Sequence, residues 1–224
     1  MKLKKFEGNP ILSPTDANDW ESLVTCNPGV IYDDGTFYML YRAAGNDTEH
    51  VIRLGLATSK DGFHFERVSD MPAFGPSEDG PDSGCVEDPR IVKYDTEYYI
   101  TYAYRPYSPG QYWNFGHDEI LLPECGSDAP MAIRKNLGNT GLAVTTDFRE
   151  FKRLGRLTSP VLDDRDVILF PEKVQGKYVM LHRPKEYIGG EYGVDYPSIW
   201  MKFSDDLLNW DCLLYTSDAA DDGE

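Results

Sequence analysis

Two adjacent carboxylates, Glu87 and Asp88, stand between a glycine-led approach and a proline–arginine pair in Gly84-Cys85-Val86-Glu87-Asp88-Pro89-Arg90-Ile91. An acid beside a cation at the mouth of a strand could serve as a proton donor next to an anion-binding group. The same residues also make an ordinary structural ion pair. In a regular strand side chains alternate between faces. Only one of the two carboxylates would then face a given site, and Arg90 would return to the face of Asp88.

The surroundings of this stretch recur. Val30-Ile31-Tyr32, the turn Asp33-Asp34-Gly35 and Phe37-Tyr38-Met39-Leu40-Tyr41-Arg42 are followed by Leu54 to Ser59 and by Phe63 to Val68. Pro89 to Tyr94, a turn at Asp95-Thr96-Glu97, Tyr98 to Arg105, Thr140 to Asp147 and Phe148 to Leu154 repeat the order. A third copy runs from Leu169-Phe170-Pro171-Glu172-Lys173 through Gln175-Gly176 to Tyr178-Val179-Met180-Leu181-His182-Arg183. It continues through Ser198 to Asp206 and Leu207 to Trp210. Each copy predicts four short strands: a proline-led strand, a tyrosine-rich strand ending near arginine, a small-residue strand closed by Ser/Thr and Asp, and an aromatic strand. Repeated four-stranded units are the pattern of propeller blades. The long insertion at 105–139, which holds Tyr107, Tyr112, Trp113 and Phe115, has the length of a binding loop or lid.

Inner strands of a propeller converge on a channel whose mouth binds ligands. At equivalent places the copies supply Asn27 and Arg42, then Asp88, Arg90 and Tyr104, then Lys173 and Arg183. Arg53, Arg134 and Asn139 lie in or beside the connecting loops. One carboxylic acid among several cations is not the pair of carboxylates of an ordinary glycoside hydrolase. It suits an acid that protonates a leaving oxygen while cations hold an anionic nucleophile, for which phosphate is the natural candidate.

Composition narrows the partners. Lys and Arg total 22 against 38 Asp and Glu, a formal net charge of −16, which disfavours nucleic acid and anionic membrane surfaces. No apolar run is long enough to cross a bilayer, and the basic start Met1-Lys2-Leu3-Lys4-Lys5 has no apolar stretch behind it. Four scattered cysteines and four histidines without ligand spacing predict free thiols, a cytoplasmic setting and no metal.

The motifs Asn27-Pro28-Gly29, Tyr41-Arg42-Ala43, Val86-Glu87-Asp88-Pro89-Arg90, Phe170-Pro171-Glu172-Lys173, His182-Arg183-Pro184 and Tyr196-Pro197-Ser198-Ile199-Trp200 together resemble glycoside hydrolase family 130 over about residues 6 to 211. That resemblance implies a five-bladed β-propeller and inverting phosphorolysis of terminal β-1,4-linked mannose, releasing α-mannose 1-phosphate. It implies Asp88 as the catalytic acid, with its proton passed through a mannose hydroxyl. Asn27, Arg42, Arg53, Arg90 and Tyr104 would then serve the mannoside, and Arg134, Lys173 and Arg183 would bind phosphate. The acceptor would be N-acetylglucosamine of an N-glycan core or a mannooligosaccharide. Inorganic phosphate would be a co-substrate, with no cofactor, and the full-length protein could be a homo-oligomer. Alternatives are a hydrolytic β-mannosidase, with Asp166 or Asp195 as its second carboxylate, and a non-catalytic carbohydrate-binding propeller. Only about three blades fit in this chain. Residues 1–212 therefore read as an incomplete propeller, and 213–224 as a non-native, disordered tail.

Overall fold

The computed structural model describes residues 3–111, 113 and 120–210; the tail expected from 213 lies outside the described residues, as do Tyr112 and Phe115 of the insertion. The fold is all-β. Among the described residues, eleven strands make three antiparallel sheets, with a 3-10 turn at Asp19–Glu21 and one short helix, α1 (Met131–Arg134). The first sheet has the order β1 (Val24–Asp33), β2 (Thr36–Ala44), β3 (Arg53–Ser59), β4 (Glu66–Arg67). The second repeats it with β5 (Cys85–Tyr94), β6 (Glu97–Arg105), β7 (Asn139–Thr145) and β8 (Lys152–Arg156). The third holds β9 (Ile168–Leu169), β10 (Tyr178–His182) and β11 (Trp200–Ser204).

Local chemistry explains the recurrence. Hairpin turns after β1 and β9 put paired residues at positive φ, Asp34 (43°) with Gly35 (73°) and Gln175 (52°) with Gly176 (83°). Tight antiparallel turns with a matching twist require such backbone. After each third strand a Ser or Thr and an Asp two residues on form a second device. Ser59 Oγ accepts from the Asp61 and Gly62 amides, while Asp61 Oδ1 accepts from Phe63 and His64. Thr145 with Asp147, and Ser204 with Asp206, do the same. These turns absorb the aromatic residues assigned to fourth strands. Pairing therefore starts at Glu66 rather than Phe63 and at Lys152 rather than Phe148, and none forms over 207–210.

The sheets pack face to face. Leu40 and Leu56 of the first meet Tyr98, Ile100 and Phe148 of the second. Leu142 and Leu157 meet Val167, Leu169 and Met180 on the other side. Each such buried side chain contributes about 1.5–3 kcal/mol. The inner strands β1 and β5 approach so closely that a Cβ on Gly29 would stand 2.6 Å from the Pro89 carbonyl oxygen. Glycine is required there by contact.

The third repeat is less regular than its sequence suggests. Pro28 and Pro89 sit inside β1 and β5, whereas Pro171 lies beyond the end of β9. Alignment on the prolines therefore misplaces the residues that follow it.

Candidate active site

β1 and β5 carry matching bulges. Their registers break between Cys26 and Gly29 and between Glu87 and Arg90. Asn27 (φ 44°) and Asp88 (φ 53°) occupy the left-handed region just before a proline. Asn and Asp tolerate that backbone better than other side chains, and proline has no amide to give to the ladder. The bulge cancels the alternation expected of a strand. Glu87 Oε2 and Asp88 Oδ1 both reach Arg42 Nη1, at 2.6 and 3.2 Å. The expectation that only one carboxylate faces the site is corrected accordingly.

Asn27 Nδ2 donates to Asp88 Oδ1 at 2.9 Å. Among the described residues nothing donates to Asp88 Oδ2, and the side chain is 21 % exposed against 6 % for Glu87. Asp88 is thus held through one oxygen and open through the other. Burial works against the charge of Arg42, but Glu87 and then Asp88 outweigh it and raise its pKa.

A second arginine, Arg105 at the end of β6, is buried and lies 3.9 Å from Glu87 Oε1. Its Nη1 donates to the Asn136 carbonyl. Burial, and next the like charge of Arg165, lower its pKa. Arg165 arrives on the connection from β8 to β9, packed so tightly on Gly138 that a Cβ there would stand 2.0 Å from Arg165 Cδ. Its Nε donates to Asp163 Oδ1 at 2.9 Å. The same connection holds the third sheet's end: Asp164 Oδ2 is 2.6 Å from His182 Nδ1, and Asp166 pairs with Arg183. Arg105 and Arg165 thus stand near each other, the first beside Glu87 and the second paired with Asp163.

The sequence pointed to neither Arg105 nor Arg165 as a site residue. Arg105 did show a signal, because it ends its tyrosine-rich strand as Arg42 does. Arg165 showed none, since only tertiary packing of a loop brings it in.

Other expected site residues lie elsewhere. Arg90 Nη1 donates to the carbonyl of Pro89, and its side chain lines a cleft between β1, β5 and β9 rather than the face of Asp88. The bulge turns it away. Tyr104 is buried with Leu54, Phe74 and Val86 at the boundary of the first two sheets, facing Arg156. Arg53 Nη1 donates to Val51 and lines a cleft beside Trp20 and Asp47. Arg134, in α1, is exposed and donates to the Ala129 carbonyl. Lys173 Nζ sits 4.2 Å above the Tyr178 ring, by the β9–β10 hairpin. Arg183 follows the far end of β10, about 16 Å away at 3.3 Å per residue. Lys173 and Arg183 therefore do not converge. Asp166 is occupied by Arg183, and Asp195 is exposed.

The three sheets thus bring Asn27, Arg42, Glu87 and Asp88 together, with Arg105 behind Glu87. The family model for glycoside hydrolase family 130, described as beta-1,4-mannooligosaccharide phosphorylase, matches residues 2–113, and the chain belongs to that family. It is 36 % identical over 220 residues to a 1,2-beta-oligomannan phosphorylase of a Thermoanaerobacter species, covering 94 % of this chain and 59 % of the relative. It is 31 % identical over 197 residues to a beta-1,2-mannobiose phosphorylase of the same organism, covering 82 % and 55 %. The fold is similar to the beta-1,2-mannobiose phosphorylase of Listeria innocua in complex with beta-1,2-mannobiose, with TM-score 0.64 and 21 % identity, covering 92 % of this chain and 64 % of that one. The chain thus spans a little over half the length of the curated relatives it matches.

Proposed function

We propose that this protein cleaves a terminal β-linked mannoside by inverting phosphorolysis, on a five-bladed propeller of the kind expected from its family. Asp88 is the proton donor, and the observation that carries this role is its one-sided grip: Asn27 and Arg42 fix Oδ1, leaving Oδ2 free to hold the transferred proton. Phosphate attacks the anomeric carbon, the bond to the leaving oxygen breaks, and the Asp88 proton reaches that oxygen through a mannose hydroxyl. The product is α-mannose 1-phosphate. Arg105, Arg165 and Arg183 are the proposed phosphate-side cations, because a delocalised guanidinium pairs with phosphate through two parallel bonds. Lys173 and Arg134 have no place in this set.

Two linkages compete. The relatives at 36 % and 31 % identity carry names that specify β-1,2 linkages, which favours that bond. The description of the family model favours β-1,4. Incubation with β-1,2- and β-1,4-mannobiose, with and without phosphate, separates the cases. Phosphate-dependent release of mannose 1-phosphate from either disaccharide is the expected result. Release of free mannose at the same rate without phosphate would identify a hydrolase instead.

A further inference from the structure

A cleft of about 440 Å³ opens across one end of the second sheet, from Tyr104 on β6 past Asn139 on β7 to Arg156 on β8, and neither Asp88 nor Arg42 lines it. We propose that it is a second carbohydrate site, for a neutral pyranose ring. Its volume lies in the ordinary small-molecule range, about 300–1,000 Å³. Arg156, on β8, is offset from Asp88, on β5, by three strand spacings, about 14 Å.

The wall is built before any ligand arrives. A Cβ on Gly84 would stand 2.0 Å from the Tyr107 carbonyl carbon, so the backbone of Tyr107 lies flat on Gly84. The Tyr107 amide donates to Asn136 Oδ1 at 3.1 Å, and Asn136 is fully buried. This leaves the Tyr107 ring 41 % exposed on a fixed backbone. Asn139 is 3 % exposed and spends Nδ2 on the carbonyls of Ser159 and Leu162, at 3.0 and 2.8 Å. No side chain or amide among the described residues donates to its Oδ1, and the residue lines the cleft. Arg156 faces the buried Tyr104 hydroxyl, whose pKa burial pushes up to about 12 while the arginine charge opposes the rise. No carboxylate pairs with Arg156 among the described residues.

The ligand class follows from this inventory. One guanidinium balances one rim carboxylate, Asp79, so the cleft as a whole does not select an anion. Donors and acceptors are interleaved, as the hydroxyls of a sugar require. Tyr107 and four prolines supply apolar surface for the C–H face of a ring. Only the choice of mannose as first probe rests on the proposed function.

The test is a titration of Asp88→Asn protein, in which no turnover intervenes, with mannose, glucose and N-acetylglucosamine. Binding is read from the Tyr107 ring signals in tyrosine-labelled protein, assigned by their loss in Tyr107→Phe. Saturable shifts with at least one sugar are expected. Arg156→Ala, an exposed substitution checked by an unchanged melting temperature, should raise the midpoint about tenfold or more. No saturable shift with any of the three sugars would overturn the proposal. So would an unchanged midpoint in Arg156→Ala, or the same shift produced by inorganic phosphate. A protein that released no mannose 1-phosphate would refute the phosphorylase assignment and leave this titration intact.

Discussion

The inner strands β1 and β5 are ten residues long, bulged, and carry a polar residue at positive φ before a proline. Their counterpart β9 is two residues long, with no positive-φ residue in it and its proline outside it. The three repeats share strand order and turn chemistry, but only the first two share the irregularity that assembles the acid. The lesson is that the site is made by a departure from strand geometry. A straight β5 would separate Glu87 from Asp88, and Arg42 could not hold both.

The largest way to break that comparison is Asp88→Asn. Loss of the proton donor should cost about 10²–10⁴-fold in phosphate-dependent turnover, while Asp166→Asn costs far less. Initial rates of mannose 1-phosphate release decide it. Next comes Glu87→Ala, which strips a buried carboxylate from between Arg42 and Arg105. Urea unfolding should show a loss of about 3–5 kcal/mol, the usual cost of orphaning buried charges. Substitution at Cys26, which precedes Asn27 as Glu87 precedes Asp88, leaves no buried charge and should cost much less.

A smaller effect sharpens the role of the bulge itself. Asn27→Ala loses the bond to Asp88 and puts alanine in left-handed backbone, for about 1–2 kcal/mol in total. Asn27→Gly restores the backbone but not the bond, so its unfolding midpoint should fall between those of the other two.

The regular parts of the repeats give the smallest effects. Ser59→Ala and Ser204→Ala should each cost about 1 kcal/mol, and similar values would show that the third sheet keeps the turn even where it lacks the bulge. In that turn the Asn209 amide, then the Asn209 side chain and the Leu208 amide, hold the Asp206 carboxyl down at about 2. A depressed folded-state pKa adds stability that is present above the unfolded value, about 3.9, and lost as pH falls through about 2. Asp206→Asn should therefore flatten the melting temperature profile between about pH 4 and 2.

Strand order, turns and the grouping of Asn27, Arg42 and Asp88 were legible because each leaves a local mark: a turn dipeptide, a tyrosine-rich run, a residue before proline. The bulge left a mark too, in Asn27-Pro28 and Asp88-Pro89, but a period-two pattern cannot show that both neighbouring carboxylates turn to one guanidinium. Lys173 was misplaced because Pro171 imitates the register of Pro89 without sharing it. Arg165 and Asn136 were invisible for a different reason. Their positions depend on loops folding back over β7 and β6, and no spacing in the chain encodes such a contact.

Asp33, at the end of β1, accepts from both Lys93 and Tyr98 of the second sheet. Asn27 and Arg42 reach across to Asp88 at the opposite end of the same strand pair. The first two sheets are therefore bolted to each other at both ends of their shared seam, with Gly29 against Pro89 between the bolts. Such a seam cannot shear or gape without breaking charge-assisted bonds, so the two sheets behave mechanically as one plate. Any relative movement of the three sheets would then fall to the other seam. There the second sheet meets the third through the two-residue β9, and the moving edge would carry Arg183 toward or away from a stationary Asp88.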